Sequence, residues 1–388
     1  MSKWPMVRLG EVLRHRKEFI AIDDFQSYKR CRVQLHSRGI VLRDQVPGTE
    51  IKTKKQQVCK RDELLVAEID AKLGGYGIVP PHLEGAIVSS HYFRFGIDDT
   101  KLDRGFLGYY IQTPGFFDQV AAQGTTNYSA IRPGHVLAYT IPLPPLAEQR
   151  RLVGRIDALA GRIEEAKRLR GEADVSTERL VVCMAHRHDL STEAKVDAGW
   201  KFVELGSVLE LKGDPVKVES SAKYPNLGIF SFGRGLFAKP PIEGFSTSAT
   251  TLFRVRAGQF IYSRLFAFEG AYGIVDPLLD GAFVSNEYPT FDCDPESVQP
   301  HFMEAYFKSP TIWQTVAVGS KGLGDRRQRV HPEQILRHKL WLPPLAWQGK
   351  IGDVRSRLGS ERPHREAIET QLAALLPAIL DRAFRGEL

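Results

Sequence analysis

The chain has 388 residues, 43% of them hydrophobic, so it is long enough to bury cores in two or three domains. Its formal net charge of +7 and its pI near 9.1 favour a polyanionic partner. Four widely separated cysteines argue against a disulfide framework, and no apolar run is long enough to span a bilayer. The N-terminal residues 1–5 lack the apolar core of a signal peptide, so a cytoplasmic location without membrane contact is expected.

An internal repeat dominates the sequence. Gly77 returns as Gly273 and Phe95 returns as Phe291, each 196 residues later. The same offset relates residues 4 and 200, 9–10 and 205–206, 77–79 and 273–275, 85–86 and 281–282, 88–89 and 284–285, and 92 and 288. Because solenoid repeats run only about 20–50 residues, this repeat is a duplicated domain. Two copies of one module predict a target that itself has two parts.

Each copy is predicted to be an α+β domain. It opens with a helical turn at 7–13 or 203–209 and continues into strands at 63–66 or 259–262 and at the Gly-Ile-Val segments. Residues 106–119 and 302–316 are predicted helices, interrupted at Pro114 and Pro310.

A proline-rich hinge and a long helix close each copy. The hinges are 141–147 and 341–346, and apolar residues follow each hinge at three- and four-residue steps. Each helix could lie on its own domain, but two equivalent apolar seams favour mutual pairing, which two-fold symmetry would make antiparallel. Forty helical residues span about 60 Å, so the pair would hold the domains apart. Pro363 is expected to kink or break the second helix.

This layout resembles the specificity (S) subunit of Type I restriction-modification systems. The similarity is carried by PLPPLAEQRR at 142–151, by LLPAILDRAFRGEL at 375–388 and by YSRLFA at 262–267. It implies an α+β fold with two similar target recognition domains, at 1–145 and 197–344. A central helix at 146–196 and a C-terminal helix at 345–388 would form a coiled-coil-like antiparallel spacer with pseudo-two-fold symmetry.

The resemblance also implies a non-catalytic adaptor. Each domain would read one half of a bipartite double-stranded DNA target, and the helix surfaces near 146–155 and 345–354 would dock two methyltransferase subunits. Restriction (motor-nuclease) subunits would join the complex. The chain would hold no cofactor, because S-adenosylmethionine belongs to the methyltransferase and ATP with Mg to the motor subunit.

Loops that combine cations or amides with small residues are the candidate DNA contacts, because cations hold phosphates and hydrogen-bonding groups read base edges. A solvated loop or a packing role is the alternative for every candidate. In the first copy they are Lys54, Lys55, Gln56, Lys72, Tyr76, Thr125, Thr126, Asn127 and Tyr128. In the second copy they are Arg234, Arg264, Lys321, Arg326, Arg327 and Arg329, and the loop at 319–329 holds three residues more than its counterpart.

Enzymatic motifs are weak. Asp62, Asp70 and Lys72 suggest a metal-dependent nuclease, yet the second copy has Phe266 and Phe268 at the last two positions. The spacing of Cys183, His186 and His188 suggests a metal, but packing at a helix end is the better interpretation. Two alternatives to the S-subunit role stay open: a duplicated scaffold that binds proteins, and a DNA-recognition subunit of another restriction or phage-defence assembly.

Overall fold

The computed structural model describes residues 3–122, 130–318 and 329–388, which divide into two compact units. The first unit comprises Met1–Leu169 and Ala367–Leu388, and the second comprises Arg170–Glu366. Within the described ranges, no helix is both long enough and apolar enough to cross a membrane.

The first unit contains three sheets. A two-stranded sheet pairs Met6–Arg8 with Thr140–Pro142. The four-stranded sheet has the order Leu13–Arg16, Tyr92–Ile97, Leu64–Ala67, Tyr76–Ile78. The five-stranded sheet has the order Ile20–Ala21, Lys55–Val58, Ile87–Val88, Ser27–Val33, Ile40–Pro47.

The second unit repeats these sheets in the same strand order. Its two-stranded sheet pairs Lys201–Glu204 with Lys339–Leu342. Its four-stranded sheet has the order Leu209–Leu211, Thr290–Cys293, Phe260–Tyr262, Tyr272–Ile274. Its five-stranded sheet has the order Pro215–Lys217, Thr251–Arg254, Phe283–Val284, Lys223–Ile229, Leu236–Glu243. Even the single parallel pairing recurs, since Arg30 pairs with Ile87 and Asn226 with Phe283.

Short helices cover these sheets, and two helices of 41 residues each connect the units. The short helices are Arg104–Tyr110, Pro114–Ala121 and Pro133–Ala138 in the first unit, and Thr192–Asp197, Pro300–Tyr306, Pro310–Ala317 and Pro332–Leu336 in the second. The predicted interruptions at Pro114 and Pro310 are confirmed, because each proline occupies the first position of a new helix. The first long helix is Leu146–His186 and the second is Leu345–Arg385.

The predicted strand at 63–66 is confirmed as Leu64–Ala67, and its continuous burial has a structural cause. Leu64 and Val66 face the main core of the unit, whereas Leu65 faces a second core under the five-stranded sheet. Side chains alternate across a strand, so a strand between two cores needs apolar residues at every position. Phe260–Tyr262 does the same in the second unit.

Both long helices contribute to the core of each unit. In the first unit Leu152 and Ile156, near the start of the first helix, share a core with Ala383 and Phe384, near the end of the second. In the second unit Val181 and Ala185, near the end of the first long helix, share a core with Ile351, near the start of the second long helix. In each unit the start of one helix therefore lies beside the end of the other, as in an antiparallel pair.

Two local predictions need correction: the helical turns that open each copy are shorter than predicted, and the second long helix is not broken at Pro363. The segments 7–13 and 203–209 are strands joined by single 3₁₀ turns, Leu9–Glu11 and Leu205–Ser207, because their flanks pair with other strands of the sheets. The second long helix also continues through Pro363 without a break. Proline cannot donate to the carbonyl one turn earlier. Two residues beyond the proline, the Arg365 guanidinium donates to the Leu358 carbonyl at 3.3 Å and to Asp174 at 2.7 Å, so side-chain contacts also hold this part of the helix.

Candidate nucleic-acid interface

A long β-hairpin forms one edge of the five-stranded sheet of each unit. The two strands of the hairpin are joined by a strained turn that we call the tip turn (34–39 and 230–235). In the first unit His36, Ser37 and Gly39 have φ of +58°, +55° and +90°. In the second, Phe232, Gly233 and Gly235 have φ of +65°, +64° and +83°. Such left-handed conformations in residues other than glycine persist only where the surroundings hold them.

A neighbouring turn (70–74 and 266–270), which we call the support turn, holds each tip turn. The N–H groups of His36 and Ser37 donate to the carbonyls of Leu73 and Gly74 at 2.7 and 2.9 Å. In the second unit Phe232 and Gly233 donate to Glu269 and Gly270 at the same two distances. The two turns therefore form one fixed element, which projects side chains from the same edge of each domain.

Each tip turn presents an exposed arginine. Arg38 has no side-chain hydrogen bond or ion pair with any residue that the structure describes. The guanidinium of Arg234 lies 4.9 Å from the ring centroid of Phe230, and its Nε donates to the Ser231 carbonyl at 3.0 Å. Phe232, at the apex, is 65% exposed. The second tip turn thus combines a cation with aromatic rings that are open to solvent.

A cationic cleft of about 380 Å³ lies on the five-stranded sheet of the first unit. It is lined by Arg30, Arg32 and Arg43 of the hairpin and by Lys52 and Gln56 of the facing segment. Arg30 donates two hydrogen bonds to Asp44, at 2.6 and 2.7 Å, and this pairing lowers the pKa of the Asp44 carboxyl. A polyanion fits this cleft better than a neutral ligand, because its three arginines and Lys52 outnumber the two nearby carboxylates, that of Glu50 in the lining and that of Asp44, which pairs with Arg30 and lies 3.5 Å from Arg43.

The equivalent surface of the second unit is much less charged. Asn226 and Gly228 stand in place of Arg30 and Arg32, and Leu252 replaces Gln56. Phe230 and Phe237 stack there with ring centroids 4.0 Å apart. The two units therefore share the backbone of this sheet, but the side chains at the positions of the cleft are cationic in the first unit and mostly uncharged in the second.

The structure places the three predicted residues of the 52–57 segment differently. Lys54 forms an ion pair with Asp24 and donates to the Gly48 carbonyl at 2.8 Å. Lys55 lies over the Phe19 ring, 4.8 Å from its centroid. Gln56 is buried at the base of the cleft, and its amide donates to the Thr53 carbonyl. Of the three, only Gln56 joins the arginines of the hairpin.

The remaining predicted residues inside the described ranges lie around the support turns and beside them. Lys72 lies on the support turn itself, half-buried, whereas Tyr76 is 1% exposed and packs on Phe116 in the main core. Arg264 lies 3.2 Å from His331 Nδ1, and Arg329 forms an ion pair with Glu287 at 3.1 Å. The burial of Tyr76 fits the packing alternative. Thr125, Thr126, Asn127, Tyr128, Lys321, Arg326 and Arg327 lie outside the described residues.

The suspected enzymatic motifs have structural partners. Asp62 forms an ion pair with Arg104. His186 is buried, stacks on Tyr306 with ring centroids 4.6 Å apart, and has its Nε2 3.1 Å from the Tyr306 carbonyl. Burial lowers the pKa of His186 to about 4. No group of three or more metal-ligating side chains occurs among the residues that the structure describes.

One buried glutamine in each copy, Gln149 or Gln348, connects the domain to the long helix that follows it. Gln149 accepts a hydrogen bond from the Asp103 N–H at 2.8 Å and donates to the carbonyls of Lys101 and Pro144. Gln348 makes the same three bonds, with Gln299, Ser297 and Pro343. Both side chains are fully buried. The same polar junction therefore fixes the start of each long helix to the domain that precedes it.

The hairpin arginines Arg30, Arg32, Arg38 and Arg43 were not predicted from the sequence. The available signal was the alternation of cations along Ser27–Val33, which is typical of a strand with one solvated face. Their convergence with residues 52–56 depends on strand pairings that no local pattern specifies.

Comparison with known proteins identifies this fold. No family model matches the sequence, and no curated protein is similar to it in sequence. Among solved structures, a chain from a study of complex assembly and conformational transition of the type I R-M system aligns with a TM-score of 0.69 at 22% identity, covering 99% of this chain and 98% of that chain. The HsdS subunit from Thermoanaerobacter tengcongensis aligns with a TM-score of 0.54 at 22% identity, covering 99% of this chain and 97% of that chain. The predicted fold, with two similar α+β domains and two long helices, is confirmed.

Proposed function

We propose that this chain is the sequence-reading S subunit of a type I restriction-modification complex and that each unit reads one half of a split DNA target. The observation that carries the proposal is the duplication itself. Strand order and hairpin geometry are the same in both units, whereas the cleft residues differ. A protein that reads two unlike half-sites needs one docking geometry and two sets of contacts.

The long helices would set the unread gap between the half-sites. Each has 41 residues, which corresponds to about 60 Å at 1.5 Å per residue. We propose that the helix starts, near 146–155 and 345–354, dock two methyltransferase subunits. S-adenosylmethionine would then act in those subunits, and ATP with Mg in any restriction subunit that joins.

The DNA contacts proposed within the described residues are the cationic cleft, the tip turns and the adjacent candidates Lys54, Lys55, Gln56, Lys72, Arg264 and Arg329. Their common support is the positive charge or amide group that each carries, and Gln56 also lines the cleft with the hairpin arginines. The domain limits 1–145, 146–196, 197–344 and 345–388 are likewise proposed, as the boundaries between reading and spacing segments.

Methylome mapping tests this function directly. Long-read sequencing of the host with and without this gene is expected to show loss of adenine methylation at one split motif. An unchanged methylome, in a host that expresses the gene, would contradict the proposal.

A second assay addresses the adaptor role. The purified chain alone should bind duplex DNA with an affinity that falls steeply as salt rises, because phosphate contacts release counterions. It should methylate no DNA. Methyl transfer by the lone chain would refute the adaptor role, and the absence of DNA affinity at low salt would favour a protein-binding scaffold.

A further inference from the structure

Few charged residues are identical in the two copies of the domain. When residues 7–106 are paired with 203–302 at the offset of 196, only two positions keep the same charged residue, Arg38 with Arg234 and Asp98 with Asp294. Six further positions keep the sign of the charge with a different residue, among them Arg43 with Lys239. A charged residue that stays identical where its neighbours are exchanged needs either a structural reason or a target that both copies share.

The aspartate pair has a structural reason. Asp98 Oδ1 accepts a hydrogen bond from the Thr100 N–H at 3.2 Å, and Asp294 Oδ1 accepts one from the Glu296 N–H at 3.1 Å. Each carboxylate therefore closes its own turn, which is a common role of aspartate in loops.

The arginines share no such bond. Arg234 Nε donates to the Ser231 carbonyl of its own turn at 3.0 Å, whereas Arg38 makes no side-chain hydrogen bond within the described residues, so turn closure does not explain the pair. The left-handed positions of the tip turns are occupied by other residues, among them Gly39 and Gly235, so the backbone conformation does not require arginine. Both side chains are exposed, and neither forms an ion pair with a carboxylate in the described parts of the chain. The remaining explanation is a binding partner that meets both tip turns.

We propose that Arg38 and Arg234 are equivalent phosphate contacts, one for each half-site, that clamp the DNA backbone independently of base sequence. This inference rests on the proposed DNA-reading function and assigns the part of the target that both units share. In two unlike half-sites the sugar–phosphate backbone is the common element, and arginine matches a phosphate bidentately.

The surroundings of the two arginines favour phosphate over a protein partner. The tip turns read QLHSRG in the first unit and FSFGRG in the second, so only the arginine and the final glycine agree. Two copies of one partner protein would meet two unlike surfaces there. A phosphate needs only the guanidinium group, which both turns hold on the same backbone frame.

Salt-dependent DNA binding by the full chain tests this assignment. The probe is a fluorescently labelled duplex of random sequence, and the readout is the slope of log Kd against log salt for wild type, Arg38→Ala, Arg234→Ala and the double variant. Each single substitution should lower the slope by about one and the double substitution by about two, since each contact contributes about 0.9. The Arg38→Lys, Arg234→Lys double variant should keep the wild-type slope.

The matched control is Arg162→Ala, which removes one exposed arginine from the first long helix. Its slope should equal that of wild type, and circular dichroism should show all variants folded. An unchanged slope in the double alanine variant overturns the assignment while the DNA-reading function stands. The assignment is likewise overturned if Arg162→Ala lowers the slope as much as either tip-turn substitution. A wild-type chain that binds no DNA refutes both proposals.

Discussion

The substitution Gln149→Leu should destabilise the first unit by several kcal/mol without changing the second. Leucine has nearly the same volume, so the change removes three hydrogen bonds without opening a large cavity. The Asp103 N–H and the carbonyls of Lys101 and Pro144 would lose their partner at a site where Gln149 is 0% exposed. Each buried polar group left unpaired costs about 1–3 kcal/mol, which for three groups gives roughly 3–9 kcal/mol if none reaches water.

Hydrogen exchange with mass spectrometry measures this effect in each unit separately. Amides of the first unit that exchange only when the whole unit unfolds should exchange faster than in wild type. The exchange rates of amides in the second unit should be unchanged. Gln348→Leu should give the reciprocal pattern, because it makes the same three bonds in the second unit. The exposed Gln112 serves as the control, and Gln112→Leu should cost less than about 1 kcal/mol. If Gln149→Leu cost no more than this control, the proposed polar junction would not be what fixes the domain to its helix.

Three further outcomes are expected. Arg43→Ala, in the cleft, should lower the salt slope of DNA binding by about one, and an unchanged slope would remove this arginine from the interface. Gly270→Ala should destabilise the second unit more than Gly258→Ala, because both have positive φ (+81° and +84°) but only a Cβ at 270 meets Trp313; equal unfolding midpoints would refute the steric reasoning. Burial lowers the pKa of His186 from 6.5 to about 4, so the unfolded chain binds the proton more readily than the folded chain. The free energy of unfolding should therefore decrease as the pH is lowered from 6.5 to 4, by at most roughly 3 kcal/mol. His186→Gln should flatten this part of the pH profile in chemical denaturation, and a profile identical to that of wild type would contradict the assignment.

Features with a local physical cause could be predicted from the sequence. The preference of proline for the first turn of a helix predicted the interruptions at Pro114 and Pro310. A continuous apolar run predicted the strand at Leu64–Ala67. The internal repeat predicted two domains with the same topology, which the identical strand orders confirm.

Features that depend on tertiary pairing could not be predicted. The helical turn predicted at 7–13 is confined to Leu9–Glu11, because Met6–Arg8 pairs with Thr140–Pro142, more than 130 residues later in the chain. The cleft arginines were missed for the same reason, since the hairpin meets residues 52–56 only through a strand, Ile87–Val88, that lies between them. The continuity of the second long helix through Pro363 was missed as well, because a one-dimensional pattern shows the proline but not the tertiary contacts of the helix around it.

A domain duplication experiment tests the central claim most directly. Residues 200–340 would be replaced by their counterparts 4–141, and the chain would be expressed with its methyltransferase in a host that lacks the native gene. If each unit reads one half-site, long-read sequencing should show methylation at a symmetric split motif built from two inverted copies of the half-site of the first unit. Methylation that stays at the original asymmetric motif would contradict the account.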